Sequence, residues 1–436
     1  MNDVYDVVGI GFGPANLALG IALREAPEPL TAAFFDRQPG LGWHRGMLVP
    51  SAKMQVSFLK DLATFRNPLS SFSFVHYLHE AGRLASFVNN QDFFPTRREF
   101  HDYLEWAAAR LALPVHFGTE ATAIRLPPPA ADGAEADWLE VEVREAGRPD
   151  RARAVRARNV VIGTGLVPMM PAGVQTGDRV WHSSQFLTRF RAADPARLRH
   201  VAVAGAGQSA AEIVRFLYDH LPEATVHAIL PSYGYVVADD TPFANRVFDP
   251  AATDDYYFGS EQSRNAFWRY HRTTNYAVVD SDLIRDLYRR SYDDQVAGVR
   301  RLELVNLSRV DSAKQVGEQV RITVHSTARD ESHDLVADLL VCATGYDPMD
   351  PGEILGPLAD RCRVDAEGRL RVGRDHRLLT DDGWRCGVYL QGGTEHTHGL
   401  SSSLLSNIAV RAGEIVDSIT AARPERKDQQ QEGVRT

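Results

Sequence analysis

The feature that most constrains this chain lies in its first 25 residues. An apolar stretch from Tyr5 to Ile10 runs into a turn holding Gly11 and Gly13, and a helical stretch follows from Asn16 to Glu25. Strand, glycine turn and helix in that order make the first βα unit of a dinucleotide fold. Gly11 permits the tight turn. Gly13 lets the backbone approach a pyrophosphate, which then rests on the N–H groups of the helix N-terminus. The third glycine of the usual pattern is replaced by Asn16. A second apolar strand, Ala32 to Phe35, ends in Asp36, where an acid grips a ribose hydroxyl. Strand, turn and acid together point to a nucleotide site rather than to a merely structural turn.

A second copy lies inside the chain. His200 to Ile213 is again strand, turn and helix, with Gly205, Gly207, Gln208, Ser209 and Ala210 at the turn. Two such folds imply two dinucleotides, FAD in the N-terminal one and NAD(P)H in the internal one. Two Thr-Gly turns, Gly163-Thr164-Gly165 and Ala343-Thr344-Gly345, each follow an apolar strand. The first precedes the internal fold, and the second marks where the chain returns to the flavin domain. The expected class is therefore α/β, with two Rossmann-like domains, the FAD domain interrupted by an NADP(H) domain, and a small substrate-binding region. The expected boundaries are 1–198 for the first part of the FAD domain, 199–338 for the NAD(P)H domain with a substrate loop at 231–280, 339–421 for the return segment, and a disordered tail at 422–436.

Composition narrows the partners. The 436 residues leave room for two or three domains. A net charge of −9 favours neither nucleic acid nor an anionic membrane. No apolar run approaches the ~18 residues of a spanning helix, and no signal peptide is visible. Cys342, Cys362 and Cys386 show no metal or disulfide spacing, which suits a reducing cytoplasm.

Between the glycine turns the sequence predicts helices over 73–81 and 97–111. Thr96 and Glu99 have the spacing of a capping box for the second. Strands at 121–126 and 139–144 flank a Pro-rich loop and predict a surface hairpin. The long, turn-rich stretch from Ser232 to Pro250 lies where functional loops occur. A helix is expected from Ser281 to about Gly298. Gly392 to Ser406 is a small-residue, polar stretch leading into a helix that ends at Ile419. It places a helix N-terminus toward a ligand. His396 and His398 have no accompanying carboxylate pair, so no metal is expected.

Taken together, these motifs resemble the flavin-dependent N-hydroxylating monooxygenases of siderophore biosynthesis. They are most similar to the L-ornithine N5-monooxygenases. The likeness runs to about Arg411. It rests on Gly11-Phe-Gly-Pro-Ala-Asn16, Trp43 to Ser51, Met54-Gln-Val-Ser-Phe-Leu-Lys-Asp61, Gly205 to Ala210, Asp240-Thr-Pro-Phe-Ala-Asn245, Asn275-Tyr-Ala-Val-Val-Asp280, Ala343 to Tyr346 and Thr397-His-Gly-Leu-Ser401. The resemblance implies FAD against Gly11, Gly13, Pro14, Asn16, Asp36, Trp43, His44, Gln55 and His398-Gly399-Leu400. It implies NADPH at Gly205, Gly207 to Ala210, Asn275 and Tyr276. Lys60 would meet the substrate α-carboxylate. Asn245 and Asn275 would hold the head group, and Ser401 would lie near the substrate. NADPH would reduce FAD, reduced FAD would take up O2 as a C4a-hydroperoxide, and the neutral side-chain amine would attack its distal oxygen. A homotetramer is also implied.

Two positions depart from the family pattern. An arginine commonly follows the strand at Thr225–Leu230 to meet the 2′-phosphate of NADPH, but here Pro231-Ser232 follows and no basic residue appears before Arg246. NADH should then be tolerated. Arg246 itself stands where an acid commonly follows Asn245. L-Lysine or a diamine such as putrescine or cadaverine is the alternative substrate, since one methylene is worth only ~1–3 kcal/mol. A diamine would not need Lys60, Asn245 and Asn275 together. No redox cysteine pair exists for a disulfide reductase.

Overall fold

The structure, a computed structural model, describes residues 4–50, 52–127, 136–148, 151–381 and 385–422. The expected disordered tail falls almost wholly outside these residues, as do Ser51 and most of the Pro-rich loop.

The N-terminal strand, Tyr5–Ile10, lies inside a seven-stranded sheet. It runs parallel to Ala32–Asp36 on one side and to Ala152–Ile162 on the other. A parallel strand covered on both faces must be apolar throughout, and Val7, Val8 and Ile10 are all buried. Ala152–Ile162 is long enough to serve two neighbours along its other edge. Its first half pairs antiparallel with Leu139–Glu145, and its last four residues run parallel to Gly387–Leu390. Leu139–Glu145 forms the expected hairpin with Thr119–Arg125. Helices Pro14–Arg24, Arg97–Arg110 and Ile408–Ala421 pack on one face, joined through Leu17, Ile21, Leu104, Ala412 and Ile415. The Thr96 hydroxyl accepts the Glu99 N–H at 3.1 Å, so the capping signal at that helix start operates as expected.

The second sheet is parallel and five-stranded. Its order is Leu302–Val305, Thr225–Ile229, His200–Ala204, Leu339–Cys342, Val180–His182. Helices Gln208–His220 and Ser281–Ala297 cover one face through Ile213, Leu217, Leu283 and Leu287. The long helix ends on Gly298 at φ +70°, a left-handed cap that glycine adopts freely. A three-stranded antiparallel sheet covers the other face through Val320, Ile322 and Val324.

This topology corrects the expected boundaries. Cuts at 198 and 338 each slice through the second sheet, because Val180–His182 and Leu339–Cys342 are two of its five strands. The chain enters the internal fold before Val180 and leaves after Cys342. Leu166–Pro168 and Tyr346–Pro348, the outgoing and returning connections, pair antiparallel with each other. Cys342 is a fully buried core residue, and burial pushes its thiol up to about 12.

Candidate active site

Both glycine turns abut the Thr-Gly turn of their own sheet. Gly11 has φ +81°, and a Cβ there would stand 2.5 Å from the Gly163 carbonyl oxygen. Gly205 has φ +138°, and a Cβ would stand 2.3 Å from that of Ala343. Gly13 and Gly207 are the N-caps of the two helices and carry no side-chain cap. A Cβ on Gly13 would meet nothing within 4 Å, so the first helix N-terminus is open to an incoming anion. Asn16 is fully buried, and its amide donates to the carbonyls of Ile10 at 3.1 Å and Gly11 at 2.7 Å. Its Oδ1 has no partner. The Asp36 carboxylate accepts the Phe12 N–H at 2.6 Å, which brings the acid to the edge of the turn. An open helix N-terminus with an acid beside it fits the pyrophosphate and ribose of a dinucleotide.

Trp43 and His44 pack between the helix Arg97–Arg110 and the returning connection at Tyr346. The Trp43 ring lies 5.9 Å from Phe100, and His44 packs edge-on against both Trp43 and Tyr346. Burial, aided by Arg97, pushes the His44 imidazole down to about 4, so it is neutral at pH 7.

A polar chain joins the two folds, and sequence reasoning did not foresee it. Gln55 Nε2 donates to Asp280 at 3.2 Å. Asp280 accepts from Gln208 Nε2 at 2.8 Å and returns its own N–H to Gln208 Oε1 at 2.9 Å. Gln208 Nε2 also lies 3.1 Å from Glu212, which receives a bidentate pair from Arg97 at 2.8 and 3.0 Å. Gln208, expected only at the coenzyme, thus also holds Asp280 and Glu212, the two acids that Gln55 and Arg97 of the first fold reach. Ser209 is half-buried and Ala210 buried beside it. The loop after Thr225–Ile229 holds no cation up to Asn245. The Ser232 hydroxyl donates to the Gly234 carbonyl at 2.7 Å, and Arg246 points outward to Asp249 at 3.7 Å.

The substrate candidates converge on one small apolar cluster. Lys60 Nζ stands 5.6 Å from the centre of the Phe248 ring. Burial lowers its ammonium pKa, and the nearby Asp249 opposes that shift. Asp249 thus serves both Arg246 and Lys60, so an acid is present on this loop although not directly after Asn245. Asn245, in the turn Ala244–Phe248, closes its loop by donating to the Asp240 carbonyl at 2.7 Å. Val247 and Phe248 pack on Leu400, with Tyr276, Trp268 and Leu404 around them. Ser401 is buried next to Leu400, and Asn275 is half-buried next to Tyr276. The Tyr276 hydroxyl donates to the Glu395 carboxylate. Burial raises both groups, and the hydrogen bond raises the phenol further. Glu395 escaped the sequence reading although it sits inside a quoted stretch.

The stretch before the last helix is more broken than expected. A single turn, Glu395–His398, is followed by tight turns at Leu400–Ser403 and Leu405–Asn407 before Ile408–Ala421 begins. His396 Nε2 lies 2.8 Å from the Leu370 carbonyl. The His398 ring turns inward. Its Nδ1 lies 2.8 Å from the Thr397 hydroxyl, and its Nε2 lies 3.3 Å from the Arg374 carbonyl. The His398 and Gly399 N–H groups bond back to the Thr394 and Glu395 carbonyls at 2.8 and 3.1 Å, which fixes this turn ahead of Leu400.

Comparison with known proteins gives concordant matches. The family model described as L-lysine 6-monooxygenase/L-ornithine 5-monooxygenase matches residues 3–348. An L-ornithine N(5)-monooxygenase of Burkholderia cepacia is 39% identical over 430 residues, 97% of this chain and 96% of that protein. The ornithine N-hydroxylase of Kutzneria sp. 744, in a solved structure with reduced FAD, NADP+ and L-ornithine, is 64% identical with a TM-score of 0.93. It covers 96% of this chain and 99% of that one. The ornithine hydroxylase of Pseudomonas aeruginosa superposes with a TM-score of 0.88 at 35% identity, covering 96% of this chain and 100% of that one.

Proposed function

The chain belongs to the L-lysine 6-monooxygenase/L-ornithine 5-monooxygenase family, and we propose that it N-hydroxylates the side-chain amine of L-ornithine, using FAD, NADPH and O2, for a hydroxamate siderophore or related product. The observation that carries the substrate assignment is the convergence of Lys60, the Asn245 turn and the Leu400–Ser401 segment on the Phe248 cluster. One cation and two amides match a zwitterionic head group. The Lys60 ammonium faces the α-carboxylate, and Asn245 and Asn275 hold the head group in register. The apolar wall of Phe248, Leu400 and Trp268 excludes water from the side chain. FAD, when bound, supplies the oxygen-transfer chemistry, with electrons from NADPH. Gly11, Gly13, Asn16 and Asp36 would hold it, together with Trp43, His44, Gln55 and the segment 398–400. Gly205, Gly207, Ser209, Ala210 and Tyr276 take the coenzyme. An amine of pKa near ~10 must lose a proton before it can act as a nucleophile.

No helix among the described residues is long and apolar enough to cross a membrane. The reading includes a cytoplasmic homo-oligomer, checked by light scattering on the purified protein. The substrate test is a panel of L-ornithine, L-lysine and putrescine, scored as hydroxylamine formed. Ornithine should lead lysine in kcat/KM by at least ~10-fold, the value of about one methylene. Putrescine, lacking the carboxylate, should be poorest. Equal or better turnover of lysine or putrescine would reassign the pocket.

A further inference from the structure

Behind Ser401 lies a buried polar cavity that the roles above do not use. Its walls include His376, Ser401, Ser402, Asn407, Arg411 and Glu414. The space open to a water-sized sphere is about 20 Å3, room for one water molecule. Four polar atoms in its walls have no hydrogen-bond partner: His376 Nδ1, Ser402 Oγ, and both Nδ2 and Oδ1 of Asn407. Buried groups of this kind are normally satisfied, and a single water can serve several at once.

The orphaned imidazole nitrogen has a defined protonation. His376 Nε2 lies 2.9 Å from the Glu414 carboxylate. A carboxylate only accepts, so Nε2 carries the proton and Nδ1 of the neutral ring keeps a free lone pair. This is the arrangement in which a carboxylate orients a histidine as a base. The His376 backbone is also left-handed, at φ +66°, a conformation unusual for a residue with a side chain. Several groups face the ring. Glu414 and Arg411 come from the last helix, Arg374 from its own loop, and His398 stacks on it at 4.3 Å. Behind these, Asp254 and Glu414 bind Arg374, Tyr257 packs on His398, and Asp375 accepts from Ser418. Burial lowers the His376 pKa, and the neighbouring arginines act in the same direction against Glu414. The ring is therefore neutral and able to accept at pH 7.

We propose that His376, oriented by Glu414, receives the proton that the substrate ammonium must lose, through the Ser401 hydroxyl and a water in this cavity. The inference rests on the proposed placement of the substrate at the Leu400–Ser401 segment, and it puts the side-chain amine beside Ser401. One N–H bond of the ammonium breaks. A proton passes along the hydroxyl and the water, and one N–H bond forms at His376 Nδ1. Glu414 keeps the Nε2 proton in place throughout, and once the product has left, the Nδ1 proton returns along the same water and hydroxyl to solvent in the emptied site, restoring the neutral ring. The net change is a neutral amine and one proton in bulk water.

The test uses the FAD-loaded enzyme and H376N, since asparagine tolerates a left-handed backbone. At pH 7 product formation should fall about 100-fold, in the range of general-base effects. The loss should shrink as pH rises toward the amine's own pKa near ~10. NADPH-driven flavin reduction should stay within about twofold of wild type. E414Q should give a milder form of the same profile. In 15N-histidine-labelled wild type, His376 should show a protonated Nε2 and a bare Nδ1. Superimposable pH profiles for wild type and H376N, or a proton resting on Nδ1, would overturn the relay alone. A wild type that does not hydroxylate ornithine would instead overturn the reading on which the relay rests. A drop in H376N that no pH restores, with flavin reduction lost in parallel, would make His376 structural and overturn the relay.

Discussion

The two nucleotide folds share one plan and differ at two positions, and those differences separate their ligands. Gly11, Gly13 and Asn16 in the first match Gly205, Gly207 and Ala210 in the second in spacing. Each first glycine touches a carbonyl of the neighbouring Thr-Gly turn. The third position differs. Ala210 merely packs, whereas the Asn16 amide bonds two carbonyls of the turn. A Cβ on Gly163 would lie only 2.7 Å from that amide, so Asn16 fits only because Gly163 is bare. The end of the second strand differs too. In the first fold Asp36 stands ready for a ribose, while the second offers Pro231-Ser232 with neither acid nor cation. The first turn is braced by side-chain hydrogen bonds within its own fold. The second is braced across the domain boundary, through Gln208, Asp280 and Gln55.

The sharpest way to break this comparison is to substitute the matching glycines. A methyl group on Gly11 carries roughly 1–2 kcal/mol of left-handed backbone strain before any clash with Gly163. Gly11→Ala should weaken FAD binding by at least ~100-fold, about 2.7 kcal/mol, read as flavin lost on gel filtration. Gly205→Ala should keep its flavin and lose saturation by NADPH instead. Flavin loss from both variants alike would show that the turns are not independent sites. Lys60→Ala touches neither turn. It should raise the KM for ornithine by about 10- to 100-fold, the 1.5–3 kcal/mol of a charged hydrogen bond, with NADPH-driven flavin reduction nearly intact. An unchanged KM would remove Lys60 from the head-group site. Asn16→Ala makes the first turn resemble the second and removes two buried hydrogen bonds. Denaturant unfolding should register a loss of about 1–3 kcal/mol, and no loss would make the bracing incidental. The smallest effect is coenzyme choice. With no guanidinium after the second strand, the NADPH/NADH ratio of kcat/KM should stay below ~100, less than about 2.7 kcal/mol. A larger ratio would reveal a cation that reaches the 2′-phosphate from elsewhere.

Local features were legible in the sequence. The strand Tyr5–Ile10, the Thr96 cap and the Gly298 stop follow from neighbours within a few residues. The domain boundaries were not. Val180–His182 is three residues long, too short to show any periodicity, and it joins the second sheet only by pairing with a strand some 160 positions later. Within the site, Lys60 and Tyr276 lie against the cluster of Val247, Phe248 and Leu400, whose chain neighbours include Asn245 and Ser401. The Arg97–Glu212 pair and the His376–Glu414 dyad left no trace in spacing, because each joins residues that only the fold brings together.

The most direct test of the account is a stoichiometry. With purified enzyme, FAD, O2 and L-ornithine, hydroxylated ornithine should be formed in close to one-to-one ratio with NADPH consumed, and omission of ornithine should suppress turnover. NADPH oxidised to hydrogen peroxide without hydroxylated product would mean two working nucleotide sites serving a different substrate, and would contradict the assignment of the pocket.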